Sequence, residues 1–452
     1  MNIELIAVGG FGEVGKNMTA LRVDDDVILL DMGLHMPNYI KFTQGEDERA
    51  HYRMQDLIAA QAIPDIALMK EWKSKVRAIV ISHAHLDHVG AAPYLANEFN
   101  APIMGTPYTM SVFKALLRDT GTKIRNKIIT IPLNGRHNIN KDLSLEFINV
   151  THSIPHQCFV AIHTKYGIVL YALDFKFDNN PVVGDKPNYA ALKRIGDKGV
   201  VLAMVDSLYA HEEKKTPSES VVKEMLRDVM MGTYSKGNAV IVTTFASHIA
   251  RLKTITEFGR QLGRKVVFLG RSLDKYVTAA EEIKLIDFRK SVFQRGKYSS
   301  QSKSILKKIE KEGADKYLLV VTGHQGEPRS MLRKLAGGQL PFKFKAGDQV
   351  IFSSNVIPHP QNVLDRQNLE AELRAQGVRI FRDIHVSGHP CREDLYEFFR
   401  LVRPQHVIPA HAEHDRVDKF VEFANGLGFV RGRTVHELFT GQRFGLPPSK
   451  HK

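Results

Sequence analysis

The chain has 452 residues, 43% of them apolar, with 63 basic against 49 acidic side chains and a formal charge of +14. Such length and apolar content supply a large buried core and exclude a disordered or fibrous chain. Two well-separated cysteines, Cys158 and Cys391, exclude a disulfide framework and lack metal-ligand spacing. No apolar run approaches the roughly 20 residues of a membrane span.

Residues 1–8 read as a strand. They lead directly into Gly9-Gly10-Phe11-Gly12-Glu13-Val14-Gly15-Lys16-Asn17, leaving no room for a signal peptide, so the cytoplasm is the expected location. The apolar run 27–30 ends at Asp31-Met32-Gly33, a combination that can simply terminate a strand. The next such run, Val76–Ile81, ends at His83-Ala84-His85-Leu86-Asp87-His88. Three imidazoles and a carboxylate within six residues are ligand types that suit zinc and similar ions. Extended backbone alternates its side chains, so His83 and His85 can point one way, and the turn can swing Asp87 and His88 toward a second ion.

Further ligands are expected at later strand ends. Residues 143–150 run into Thr151-His152-Ser153-Ile154-Pro155-His156, residues 168–173 end at Asp174, and Val407-Ile408 leads to Pro409-Ala410-His411-Ala412-Glu413-His414. Each is weak alone, and an Asp after an apolar strand is more often a turn former or helix cap than a ligand. With His83–His88 they make four features, all after apolar runs, which reinforce one another and predict a two-metal hydrolytic centre. Such a centre activates water and neutralises charge on a phosphoryl group, but could equally open a lactam or thioester.

A long interval separates Asp174 from His411, and it predicts an inserted domain. Within it, 239–243, Lys265–Leu269, Tyr317–Val321 and 350–352 read as strands, with a helical pattern over 249–262. That alternation predicts an α/β insert with a mainly parallel sheet. The expected division is 1–208, 209–375 and 376–452, the outer pieces forming one domain. Basic residues concentrate over 114–127 and 284–311, the latter interleaved with Phe288, Phe293 and Tyr298. This predicts a solvated basic face over buried aromatics, the alternative being a track for a phosphate backbone with stacked bases.

The His83–His88 pattern and the later strand-end residues resemble the metallo-β-lactamase superfamily. That resemblance implies an αββα sandwich in which His83, His85 and His152 bind one zinc and Asp87, His88 and His411 another, with Mn²⁺ or Mg²⁺ as activators. Asp174 would bridge the ions, and Asp31 would orient the ligating histidines. Within the interval, Val205-Asp206-Ser207, Thr243-Thr244-Phe245-Ala246-Ser247, Gly270-Arg271-Ser272, Thr322-Gly323-His324-Gln325-Gly326-Glu327-Pro328 and His385-Val386-Ser387-Gly388-His389 resemble an inserted β-CASP domain. With the Gly9–Asn17 start, the whole resembles the RNase J family, and its archaeal branch because the chain ends soon after His411. It departs at His248, where Asn is common, and at Ala412, where Gly is common.

Carried onto this sequence, the resemblance makes His389 the proton donor to the leaving 3′-oxygen and Asp206 its support. Asp87 is counted with the catalytic groups as well as the ligands. Ser247, Arg271, His385, Ser387 and Gly388 would hold a 5′-monophosphate, although Ser247 could be a helix cap and Arg271 an ion-pair partner. The implied activity is a 5′→3′ exoribonuclease acting on single-stranded RNA entering between core and insert, as a homodimer. The alternatives are a β-CASP endonuclease of RNA or DNA, and a non-catalytic RNA-binding scaffold.

Overall fold

The longer strands are short aliphatic and β-branched runs buried on one or both faces. In this computed structural model residues 2–43, 52–357 and 359–446 are described. The first six strands are β1 (Ile3–Gly9), β2 (Met18–Val23), β3 (Asp26–Leu30), β4 (Val76–Ile81), β5 (Ile103–Gly105) and β6 (Ile128–Thr130). Five more follow: β7 (Arg136–Asn138), β8 (Ser144–Asn149), β9 (Cys158–Thr164), β10 (Gly167–Ala172) and β11 (Val200–Asp206). The insert contributes β12 (Val240–Thr243), β13 (Lys265–Leu269), β14 (Gln294–Gly296), β15 (Tyr317–Val321), β16 (Gln349–Phe352) and β17 (Arg379–Phe381). The chain then returns with β18 (His406–Ala410) and β19 (Arg443–Gly445).

Three sheets result, ordered β19-β1-β2-β3-β4-β5-β6, β18-β11-β10-β9-β8-β7 and β14-β13-β15-β12-β16-β17. The first two pack face to face over one core, with Leu5, Ile28 and Val80 of one sheet against Phe147, Val160 and Tyr171 of the other. The outer face of the second sheet is covered by helices Tyr189–Lys198, Arg392–Val402 and His414–Gly426 through Leu192, Phe398 and Phe420. Strand β10 shows why residues 168–173 read as a continuous apolar run. Val169 and Tyr171 enter the inter-sheet core, while Ile168, Leu170 and Ala172 face the helices. A strand buried on both faces is a rigid platform, and its carboxyl end carries Asp174.

Two compact units emerge. One comprises Met1–Asn179, Asp185–Thr216 and Gly388–Lys452; the other comprises Asn180–Gly184 and Pro217–Ser387. The main segment of the second, Pro217–Ser387, runs past an end at 375, because β17 pairs in parallel with β16 and so belongs to the insert's sheet. All five pairings in that sheet are parallel. Among the predicted aromatics only Phe288 is buried; Phe293 and Tyr298 are 45% and 54% exposed, which corrects the buried reading for both. Among the described residues, no helix is long and apolar enough to cross a membrane.

Candidate metal centre

The candidate site is built where strands of both core sheets end. His83 follows β4 by two residues, and His85 precedes the short helix Leu86–Val89, which carries Asp87 and His88. His152 follows β8, Asp174 follows β10, Asp206 ends β11 and His411 follows β18. Asp31, Asp174 and His411 all take left-handed backbone, with φ of 63°, 49° and 57°. Asp and His tolerate this region better than most residues, and here it turns the chain sharply after a buried strand.

Two ligand sets share Asp174. His83, His85, His152 and Asp174 form one group whose donor atoms lie within 4.8 Å of one another; Asp87, His88, Asp174 and His411 form a second. Asp174 Oδ2 is 3.7 Å from His83 Nε2 and 3.6 Å from His152 Nε2. Its Oδ1 is 3.2 Å from His88 Nε2. One carboxylate therefore turns one oxygen to each set. His83 Nε2 and Asp174 Oδ1 are buried and have no hydrogen-bond partner. Buried polar atoms seldom go unpaired, so the donor set itself fits a divalent cation.

Protonation agrees with that fit. Burial, then the charge of His88, holds His83 well below the usual imidazole range. Burial likewise lowers His85 to about 4 and His152 well below its ordinary value. These three present neutral rings, the form that binds metal. Burial opposes ionisation of Asp174, yet His411, His88 and His389 hold its carboxyl well below the usual range. His88 runs the other way: burial pulls it down, but Asp174, Asp87 and Asp31 raise it well above the imidazole range. A proton and a dication answer the same surplus of negative charge, which the three carboxylates around His88 supply.

Neighbouring groups fix the rings. Asp31, fully buried, accepts from His88 Nδ1 at 2.7 Å and from the Ser82 backbone and hydroxyl at 2.7 and 2.8 Å. His152 Nδ1 donates to the Gly388 carbonyl at 2.7 Å, which leaves its Nε2 facing Asp174. A Cβ at Gly388 would come within 2.5 Å of that Nδ1, so glycine is required for the contact. His389 Nδ1 lies 2.7 Å from buried Asp206 Oδ2, and its Nε2 lies 4.0 Å from Asp174 Oδ2. Burial lowers His389, but Asp206 and Asp174 outweigh it and raise its pKa to about 9.

Sequence reasoning missed several supports. Asn17 Nδ2 donates to the Asp87 carbonyl at 3.0 Å and lies 2.9 Å from His411 Nδ1. Thr216 Oγ1 donates to the His389 carbonyl at 2.8 Å, while Asp394 accepts from the backbone N–H of Thr216 and Phe177. The one available signal was that Asn17 closes the glycine-rich opening loop. His156 and His414 stand outside both ligand sets.

The remaining candidates sit in the insert at carboxyl ends of parallel strands. Ser247 follows β12, Arg271 opens the helix after β13, and His385 and Ser387 follow β17. Ligands commonly bind at this end of an open α/β sheet. Ser247 does not cap the helix that follows; His248 holds the cap position, and its Nε2 lies 3.4 Å from Glu219. The His385 ring is 5.9 Å from Phe245.

Residues 11–197 match the metallo-β-lactamase superfamily, 237–367 the β-CASP domain of ribonuclease J, and 378–429 the Zn-dependent metallo-hydrolase RNA specificity domain. Ribonuclease J of Methanocaldococcus jannaschii is 40% identical over 98% of both chains. That of Pyrococcus abyssi is 38% identical over 99% of this chain and 98% of its own. A solved protein of unknown function from Enterococcus faecalis shares the fold at a TM-score of 0.65, with 16% identity over 99% of this chain and 100% of its own. Near-complete coverage at this identity, with all three regions in order, makes the chain a member of the ribonuclease J family.

Proposed function

We propose that the chain is a metal-dependent ribonuclease that hydrolyses RNA phosphodiesters, removing nucleotides 5′→3′ from ends that carry a monophosphate. The observation that carries the hydrolytic part is Asp174, whose two oxygens face two separate ligand sets while the His389–Asp206 pair approaches the same carboxylate. His83, His85 and His152 would hold one ion and Asp87, His88 and His411 the other, with Asp174 shared. Zinc suits this nitrogen-rich set, with manganese or magnesium as alternatives, and two such ions would supply Lewis acidity and an activated water near neutral pH.

The chain's own residues supply the rest. Asp206 accepts from His389 Nδ1–H and so leaves Nε2–H toward the cluster. A pKa near 9 keeps that proton in place at neutral pH, ready for a leaving 3′-oxygen. Asp31 and the Gly388 carbonyl hold His88 and His152 in the tautomers that free their Nε2 atoms. In the insert, Ser247, Arg271, His385 and Ser387 supply hydroxyl, guanidinium and imidazole groups, donor chemistry suited to a terminal phosphate.

Digestion of two matched, internally labelled RNAs tests this, one with a 5′-monophosphate and one with a 5′-triphosphate. Early mononucleotides, preferentially from the monophosphate RNA, are expected. Internal fragments from both alike would assign an endonuclease and remove the phosphate role from the insert residues. No cleavage with any divalent metal would leave an RNA-binding scaffold.

A further inference from the structure

Helix Ser299–Glu312 of the insert carries a feature that the cleavage chemistry does not use. Ser302, Ile305, Leu306 and Ile309 face the core at helical spacing. On the opposite side Lys303, Lys307 and Lys311 recur every fourth residue and are all exposed. At 1.5 Å of rise per residue, their stems stand about 6 Å apart along the axis. The acidic groups of this helix are committed elsewhere. Glu312 engages Lys265 at 3.3 Å, Lys308 at 3.8 Å and the Tyr317 hydroxyl at 2.5 Å, and Glu310 accepts from the Lys343 backbone at 2.7 Å. Among the described residues, the three stripe lysines form no ion pair.

Exposed aromatics flank the stripe. Tyr298, 54% exposed, sits at the head of the helix, and the Gln301 side chain accepts from its backbone N–H at 3.2 Å. Phe293, 45% exposed, precedes edge strand β14 and carries the ammonium groups of Lys265 and Lys308, each 5.0 Å from its ring centroid. A basic stripe alone reads as a solvated face. Large rings left in water on the segment that also carries the lysine stripe are the added observation, because bases stack on such rings while ammonium groups follow the phosphates.

We infer that the face formed by Phe293, Tyr298, Lys303, Lys307 and Lys311 binds single-stranded RNA, gripping a stretch of the substrate apart from the nucleotide being cleaved. The inference rests on the ribonuclease reading for its choice of ligand. Charge complementarity and the two exposed rings commit the face to a single-stranded polyanion with bases free to stack.

The full chain with Lys303→Glu, Lys307→Glu and Lys311→Glu tests it, against a control reversing Lys186, Lys193 and Lys198, which are exposed on the other unit. Affinity is read with a long, uncleavable phosphorothioate single-stranded RNA across a salt series. The stripe variant should bind at least about tenfold more weakly than the control, and its slope of log K against log salt should be shallower by about 2, as expected for three lost phosphate contacts. Turnover of a short 5′-monophosphorylated oligonucleotide should be unchanged, which also shows that the variant folds. Tyr298→Ala should weaken the long RNA about tenfold and Tyr298→Phe should not. 4-Thiouridine in the long RNA should crosslink to peptides containing Phe293 or Tyr298. Affinity and salt slope equal to the control, with no such crosslink, would overturn the face while leaving the ribonuclease reading intact. A parent chain that neither binds nor cleaves RNA would overturn both.

Discussion

Each unit buries a charged network of its own, and the two, around Arg251 and around Asp174, are built on opposite principles. In the insert, fully buried Arg251 donates to both Glu219 oxygens at 2.6 and 2.9 Å, and to the Ser353 carbonyl and hydroxyl at 2.9 and 2.8 Å. It also donates to the Ile384 carbonyl at 3.2 Å. Burial disfavours the Glu219 charge, but His248 and Arg251 hold its carboxyl well below the usual range. Positive and negative groups match and the guanidinium is enclosed by acceptors. In the core, six imidazoles and the carboxylates of Asp87 and Asp206 crowd around Asp174, with His83 Nε2 and Asp174 Oδ1 lacking a hydrogen-bond partner and with neighbouring rings shifted in opposite directions. A closed network ties a fold together; an open one waits for a ligand. Burial alone does not tell them apart, whereas donor and acceptor accounting does.

The largest effect should come from opening the core network further. Asp87→Ala or His88→Ala should cut cleavage by roughly a thousandfold or more, the several kcal/mol expected of a lost metal-ion role, while RNA still binds in a gel shift. A chelator should lower the melting temperature of the parent and leave these variants less affected, since a bound ion stabilises only the folded state. Turnover retained in either variant would remove both residues from the metal site.

Next in size is the proton donor. His389→Ala should lower the rate by about 10²- to 10⁴-fold. The sign of its pH dependence follows from the raised pKa. Nε2–H is present below about 9 and lost above it, so the parent's rate should fall on the alkaline side, and a nearby cation can only bring that fall to lower pH. Asp206→Asn removes the carboxylate that raises the pKa and should shift the fall further downward. His389→Ala should lack it altogether. An unchanged alkaline limb in His389→Ala would assign the proton to another group.

The closed network should respond in stability instead. Arg251→Met leaves the Glu219 carboxylate buried without its guanidinium and should cost about 3–5 kcal/mol in urea unfolding, with metal content unchanged. Adding Glu219→Leu should recover much of that loss, because no orphan charge remains. Failure of the double variant to recover would mean that Arg251 acts through its bonds to Ser353 and Ile384.

Much of the core network is legible in the sequence because strands buried on both faces leave long apolar runs, and each proposed ligand stands just past one. Val76–Ile81, residues 143–150, residues 168–173 and Val407-Ile408 correspond to β4, β8, β10 and β18, and the polar residues after them converge. What escapes is short or remote. Strands β14, β17 and β19 are three residues each and are partly polar, so their pairing depends on neighbours brought by the fold. Asn17 and His411 are 394 residues apart, and Asp394 joins segments at 177 and 216. Nothing local marks Phe293 and Tyr298 as exposed while Phe288 is buried, since all three lie in the same basic stretch.

Asn17 gives the smallest effect and the finest test, because its role is to hold a proposed ligand in place. Its Nδ2 lies 3.0 Å from the Asp87 carbonyl, which can only accept, so that side of the amide must be the donor. The same amide meets His411 Nδ1, with Nδ2 at 2.9 Å and Oδ1 at 3.2 Å, and so holds that ring in place. His411 Nε2 lies 3.9 Å from Asp87 Oδ2, on the side of the second ligand set. Asn17→Ala removes that support without removing a ligand. Metal retention against a chelator should weaken about 10- to 100-fold, the usual cost of losing a group that orients a ligating histidine. The closed Arg251 network should be untouched, so urea stability measured with excess metal should stay near the parent's. A fall in that stability as large as the fall in metal affinity would make Asn17 a packing residue of the glycine-rich loop and not a support for His411.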